Sequence, residues 1–484
     1  MDILSQQRTG PAPAVGAVGA APTAAPAPVV RTAPDRRREA WRLAAIAVIW
    51  VTSTLVATLW SAGGGVQELL RAPAGTLDSL GRLTGLVSAN LLLLQVLLMA
   101  RVPLFERGLG HAGMVRMHRV VGMWSFWLLV AHIVLLVLGY AADSGLQPLV
   151  QLWELVWGYP GMLLATAGTL LLVLVMVTSA RRARRRLRYE SWHLLHLYGY
   201  LGVALAIPHM LWTGTDLATP LAAGYWWALW LATAAAVLVW RIALPIGRSL
   251  RHDLRVVAVE DDGARGVRVR IGGRAIERLG ARAGQFLVWR FLDGPGWTRG
   301  NPYSLAVSPR RGELVIAARV VGDGSRRLRS LRPGTRVLVE GPMGRMTGDA
   351  RQGRRMLLVG AGAGVAPLLS ILDDEAFEPG EAVLVTRDRT PEEAVGAEHV
   401  RELVERRGLR HVPLDGPRSR AGSSWVASDW GAWDGAALLR AIAGDLADVD
   451  VFLCGPDDWS AALRADLLRA GAAPARIHAE SFTS

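Results

Sequence analysis

The sequence has no lysine and a single cysteine, Cys454. One cysteine excludes a disulfide within the chain, a thiolate-held iron–sulfur or zinc centre, and covalent haem attachment through C-x-x-C-H. Any haem must therefore be held by non-covalent axial ligands. Without lysine, all 54 basic residues are arginine, against 41 acidic residues, for a formal charge of +13. These arginines cluster beside apolar segments. That is the pattern of membrane topology signals, and no nucleic-acid partner is expected from it. Residues 1–40, rich in Ala, Pro and Gly, lack helical period and read as a disordered tail. The run Arg36–Arg38 directly before the first apolar segment does not fit a signal peptide.

What is present is apolar length. Six segments near 41–60, 83–102, 118–140, 160–180, 190–212 and 222–244 each have about the 20 residues a helix needs to cross a bilayer. Their connections alternate in charge. Arg36–Arg38, Arg101 to Arg116, the six arginines of 181–188, and Arg248 with Arg251 lie on one side. Glu68, Asp78, Asp143, Glu154 and Asp216 lie on the other. The positive-inside rule then predicts a multi-pass plasma-membrane protein of bacterial type with both termini cytoplasmic. Thirteen of the nineteen tryptophans precede residue 245, many near segment ends, as interfacial anchors do.

Five histidines fall in or beside these segments: His118, His132, His193, His196 and His209. Ionisable groups inside a spanning helix are costly and usually functional. His118 and His132 are ~21 Å apart along a helix and ~40° apart in direction, so they share a face. His196 and His209 are ~20 Å apart but point ~140° apart on an ideal helix. A distortion near Pro208 is needed to align them. His193 is one turn from His196 and competes with it as a ligand. Two matched pairs suit two stacked porphyrins, and bis-His ligation favours electron transfer over oxygen binding at the iron. The plainer alternative is histidines hydrogen-bonded between helices. Asn90 and Gln95 are expected to be interhelical contacts. His111, His252, His399 and His411 are expected in surface or loop positions.

From about 250 the pattern changes to short alternating strands, expected to form a small antiparallel barrel over 250–350. Residues 353–484 alternate strand, glycine-rich turn and helix, as an open α/β sheet does. In LLVGAGAGVAPLLSIL (357–372), Gly360, Gly362 and Gly364, with Pro367 following, let a dinucleotide approach a helix N-terminus. Arg387 and Arg389, with Arg418 and Arg420, follow later strands and lean the reading toward NADPH over NADH, although Asp388 lies between the first two.

RGNPYSLAVSP (299–309) resembles the flavin motif of the ferredoxin–NADP reductase superfamily. The resemblance implies FAD contacts from Arg299, Asn301, Pro302, Tyr303, Ser304 and Leu305. Tyr303 would stack on the isoalloxazine and Ser304 would reach its N5 edge. AGQF (283–286) precedes the motif, and RVVGDGSRRL (319–328) follows it with Gly322, Gly324 and Ser325 as candidate pyrophosphate donors. VEGPMGRMT (339–347) resembles the family's closing strand. FLCGP (452–456) places Cys454, Gly455 and Pro456 at the nicotinamide, where Cys454 is otherwise an ordinary buried thiol. IHAESF (477–482) offers Phe482 as the aromatic covering the flavin, with Glu480 beside it.

Together, residues 41–484 resemble the ferric reductase/NADPH oxidase family. The resemblance implies a multidomain membrane protein: a six-helix transmembrane haem bundle (41–245), an antiparallel β-barrel FAD domain (250–350), and an α/β Rossmann-like NAD(P) domain (353–484). It departs from the membrane branch in having Asn301 where relatives often carry His. It implies two b haems, His118 and His196 on the inner one and His132 and His209 on the outer one. Arg116 and Arg119 fall where inner propionates would lie, or serve as topology signals. Electrons would pass from cytoplasmic NAD(P)H through FAD and both haems to an external acceptor. A ferric chelate is the leading acceptor, although the two outer arginines Arg71 and Arg82 do not make a binding site for an anionic one. Reduction of O2 to superoxide or peroxide is the alternative. A non-redox channel would have no use for YSL, GAGAG and CGP in series.

Overall fold

The computed structural model describes residues 33–70, 73–180, 183, 189–294, 296–297, 299–309, 312–419 and 423–481. The arginine run at 181–188, Arg71, Arg420 and Phe482 lie outside these residues. The chain divides into two compact units that meet at Leu244/Pro245.

The first unit is helical. Its long helices are α1 (Ala33–Ala62), α2 (Pro73–Met99), α3 (Pro103–Ser144), α4 (Met162–Ser179), α5 (Tyr189–Thr213) and α6 (Pro220–Ala236). Each contains or belongs to a stretch long and apolar enough to cross a membrane. Four features differ from the sequence expectation. α1 starts at Ala33, inside the stretch read as a tail. α2 starts at Pro73, ten residues early, because Gly75, Asp78 and Arg82 dilute its first turns. α3 contains a break at Gly110, whose φ of 67° only glycine adopts readily. A short helix at Pro148–Gly158, between α3 and α4, was not anticipated. After α6 the backbone passes through a π-helical stretch, Val237–Ala243, and stays helical to His252.

Close packing fixes the helix pairs. A Cβ at Gly168 in α4 would lie 2.7 Å from the Gly202 carbonyl of α5, so small residues bring these backbones together. Fully buried Asn90 in α2 donates to Thr52 and Ser53 of α1, both at 3.3 Å, and accepts from the Tyr225 hydroxyl of α6 at 3.0 Å. It joins three helices, the role expected of it.

Among the described residues the second unit contains eleven strands. β1 (Arg255–Asp262), β2 (Gly266–Gly272) and β5 (Leu314–Arg319) form one antiparallel sheet. β4 (Asn301–Ser304), β3 (Phe286–Phe291) and β6 (Val337–Met343) form another. Isolated bridges Leu305–Ile316 and Arg255–Arg336 link the two. Their apolar faces share one core around Trp289, Leu305 and Ile316.

β7 (Met356–Ala361), β8 (Ala382–Arg387), β9 (Arg410–Pro413), β10 (Asp450–Gly455) and β11 (Ile477–Ser481) form a parallel sheet in the order β11-β10-β7-β8-β9. Side-chain alternation explains why helices cover both faces. Leu357, Val359, Val451 and Leu453 pack with α9 (Gly435–Ala443) and α10 (Asp457–Arg469). Met356, Leu358, Phe452 and Cys454 pack with α7 (Val365–Asp374) and α8 (Ala397–Arg407). Strands buried on both faces read as continuous apolar runs. His252 and His399 are buried, contrary to expectation: His252 Nδ1 lies 2.9 Å from the Arg274 carbonyl and His399 lies 3.7 Å from Asp373.

Candidate functional site

Two sites emerge, one in each unit. In the helical unit α3 carries His118 and His132, and α5 carries His193, His196 and His209. The His118 and His196 rings face each other edge-on, with centroids 5.9 Å apart. α5 remains helical through Pro208. The His196 ring also lies 5.1 Å from Trp192, which it shares with His193.

The Nδ1 contacts of these rings were not foreseen. His118 Nδ1 lies 3.2 Å from the Gln95 carbonyl, His132 Nδ1 2.7 Å from that of Gly81, and His209 Nδ1 2.6 Å from that of Ala206. A carbonyl only accepts, so in each neutral ring the proton sits on Nδ1 and Nε2 carries the lone pair. That is the tautomer a metal ligand needs, held by the kind of outer contact that orients metal-bound imidazoles. His196 Nδ1 lies 3.2 Å from the Ser179 hydroxyl, which can accept the same proton. Gln95 and Gly81 are fourteen residues apart on α2, the same spacing as His118 and His132 on α3. A Cβ at Gly85 would run into the His132 ring. The glycines of α2 were the available signal. The donor set, neutral imidazoles with a free Nε2, is of the chemical kind that bis-His haem ligation uses.

At the far end of α2, Arg82 is held by both oxygens of Asp216, at 2.7 and 2.8 Å, and by Glu68. Its charge is therefore engaged by carboxylates of the same unit. Arg116 and Arg119 are exposed.

In the second unit the strand order is that of a doubly wound sheet, which reverses direction between β7 and β10. Ligands bind outside the carboxyl ends of the strands at such a reversal. Gly360, the penultimate residue of β7, pairs with Cys454 on β10, and Cys454 pairs with Glu480 on β11. A Cβ at Gly364 would collide with the Cys454 carbonyl, so the turn and the CGP segment are in backbone contact. Gly362 has φ 55° and lies beside the Arg319 guanidinium, whose Nη2 would be 3.1 Å from a Cβ there. Pro367 is buried in the first turn of α7. Burial pushes the Cys454 thiol well up, with the Glu480 charge adding to it, and burial raises the Glu480 carboxyl.

The flavin motif forms β4. Tyr303 is paired with Leu287, its carbonyl accepts from Trp289 Nε1 at 3.0 Å, and burial pushes its phenol up to about 12. A Cβ at Gly324 would meet the Asn301 side chain at 2.7 Å and the Tyr303 hydroxyl at 3.4 Å. The two motifs read separately in the sequence therefore converge, and the cradle between them is closed to any side chain larger than glycine's. Ser304 and Leu305 are buried, while Arg299 and Pro302 are exposed. Glu480 accepts from the Arg345 N–H at 3.3 Å, and Gln285 reaches the Gly344 carbonyl at 3.2 Å, so the AGQF and GPMGRM segments close around the same strand ends. One expectation fails: the Ser325 hydroxyl accepts from the N–H groups of Val321 and Gly322 and donates to the Gly322 carbonyl. It holds its own turn and is not a free phosphate donor.

Of the arginines expected at a ribose phosphate, two donate to nearby backbone carbonyls. Arg387 donates to the Asp388 carbonyl and Arg418 to the Ser424 carbonyl at 2.7 Å, while Arg389 is exposed. Arg319 was the residue missed, and in the sequence Asp388 reads only as a neighbour that weakens the case for a phosphate.

Residues 84–207 match the family model described as the ferric reductase like transmembrane component. The chain carries a ferric reductase-like transmembrane domain fused to a flavin-reductase-type FAD/NAD module. Among curated proteins it is 27% identical over 217 residues to the stachydrine N-demethylase reductase subunit Stc4 of Rhizobium meliloti, covering 42% of this chain and 58% of that one. It is 28% identical over 249 residues to the ferredoxin reductase component of 3-ketosteroid-9-alpha-monooxygenase from Rhodococcus rhodochrous, covering 50% and 68%. The chain thus spans little more than half the length of the first of these relatives. Among solved structures, the Amycolatopsis cytochrome P450 reductase GcoB is similar at 26% identity and a TM-score of 0.40, over 48% of this chain and 70% of that one.

Proposed function

We propose that this chain is an NAD(P)H-dependent oxidoreductase of the membrane that carries electrons from the cytoplasmic side to an external ferric chelate. The observation carrying the proposal is the pair of histidine sets on α3 and α5, of which His118, His132, His193 and His196 lie inside the ferric reductase-like segment and His209 two residues beyond it, with three Nδ1 atoms committed to carbonyls. When bound, FAD supplies the change from hydride to single electrons, and two b haems supply a one-electron relay.

The chain's own residues supply position. His118 and His196 hold the inner haem, and His132 and His209 the outer one. Tyr303 gives the flavin an aromatic face, with Ser304 and Asn301 beside it. Gly360, Gly362 and Gly364 admit the dinucleotide to the N-terminus of α7, with Arg319 as the nearby cation. Cys454 stays protonated at neutral pH inside the core and meets the glycine turn through its backbone carbonyl, while Glu480 closes the same strand ends.

The test is a reduced-minus-oxidised spectrum of the purified protein, followed by NAD(P)H oxidation with a ferric chelate and, separately, with oxygen alone. Two b-type haems per chain and chelate-dependent turnover are expected. Absence of b-type bands would overturn the relay. Turnover with oxygen alone, releasing superoxide, would replace the acceptor.

A further inference from the structure

Asp388 directly follows β8, and its side chain is 1% exposed. Neither carboxylate oxygen has a hydrogen-bond partner among the described residues. Its one cation in ion-pair range, Arg319, stands 3.7 Å away and makes its closer contact, 2.8 Å, with Glu393. A buried carboxylate without donors is costly, and proteins keep such groups for a reason.

The position supplies the reason. Asp388 lies at the carboxyl end of the strand beside β7, 24 residues after Gly364. In doubly wound dinucleotide folds an acidic side chain at that place accepts a hydrogen bond from the adenosine ribose 2′-hydroxyl. The charges around it are mixed: Arg319 and Arg387 oppose Asp415 and Glu393 at this carboxylate, and Glu393 is itself held by Arg265 and Arg319. The selection therefore rests on Asp388 itself. A ribose 2′-phosphate would bring a second negative charge against it. A ribose hydroxyl, once the covering side chains yield, would supply the donor that the carboxylate lacks.

We infer that Asp388 is the acceptor for the adenosine ribose 2′-hydroxyl and that it sets the nucleotide preference of this chain to NADH over NADPH. This rests on the nicotinamide reading above, and it reverses the preference that Arg387 and Arg389 suggest in the sequence.

The test is anaerobic flavin reduction in the full-length holoprotein, with NADH and NADPH in separate titrations. Wild type should favour NADH in kcat/KM by roughly tenfold or more, the size of one hydrogen bond to a charged group. In Asp388→Ser the NADH value should fall and the NADPH value rise, so that the ratio moves toward one. Flavin content, measured alongside, shows that the variant is folded. A wild-type preference for NADPH overturns the inference without any variant, as does an unchanged ratio in a flavin-loaded Asp388→Ser. If neither nucleotide reduces the flavin, the nicotinamide reading itself fails, and this inference with it.

Discussion

Replacing Asp388 with asparagine keeps the shape of a buried side chain and deletes its charge. The carboxyl is pushed up to about 6 by burial, opposed by Arg319 and Arg387 and reinforced by Asp415 and Glu393, from an ordinary value of 3.8. A folded-state value above the unfolded one means that the folded protein holds the proton more tightly. Its contribution to stability is therefore complete below pH 3.8 and is lost as pH rises from there to about 6. The whole shift is worth about 3 kcal/mol at ~1.36 kcal/mol per unit. Between about pH 4.5 and about pH 7.5 some 2 kcal/mol of it is lost. Asparagine does not titrate, and any fixed cost of burying its amide cancels between the two pH values. The assay is thermal release of flavin fluorescence from the full-length protein at both pH values, with no nucleotide added. Relative to wild type, the variant should gain on the order of 5 °C in melting temperature on going from the acid to the neutral condition. Parallel pH curves for the two proteins would refute the buried-charge argument.

Gly85→Val should lower the haem signal from two haems to about one, because its Cβ would occupy the space of the His132 ring; unchanged haem content would show that the ring has room to move. His118→Ala should remove the other haem while leaving flavin content intact, as read from the spectrum of the same preparation. Cys454 should resist iodoacetamide at pH 8 in the native protein and react after denaturation, followed by mass spectrometry, since burial keeps its thiol neutral and covered. Asn90→Leu should cost about 2 kcal/mol, from three interhelical hydrogen bonds at ~0.6 kcal/mol each, read as a lower midpoint in detergent unfolding.

The spans were legible because a bilayer demands length and apolarity in one run, and both can be counted. Their edges were less so. The first turns of α2 carry Asp78 and Arg82, whose charges are absorbed by folding: Arg82 finds Asp216, 134 residues away. The helix at Pro148–Gly158 is too short to register against a twenty-residue criterion. Glycine turns and the strand after them could be read locally, but the order β11-β10-β7-β8-β9 is a property of crossovers, which no local pattern states. The same limit governed the sites. Histidine spacing pointed to α3, whereas the α5 pairing needed the packed geometry. The arginines flanking Asp388 were plain in the sequence, but only the fold shows Arg387 turned onto a carbonyl and the carboxylate between them left without donors.

α2 acts as a ruler. Its Gly81 and Gln95 carbonyls grip two imidazoles at one fixed interval, and that interval is copied in reverse along α3. A single residue inserted between them would rotate one carbonyl by ~100° and leave one imidazole without its proton acceptor. The second helix, which donates no ligand, is therefore the segment least able to change length. Substitutions on its outer faces are free to accumulate, but its count of residues between the two grips is not.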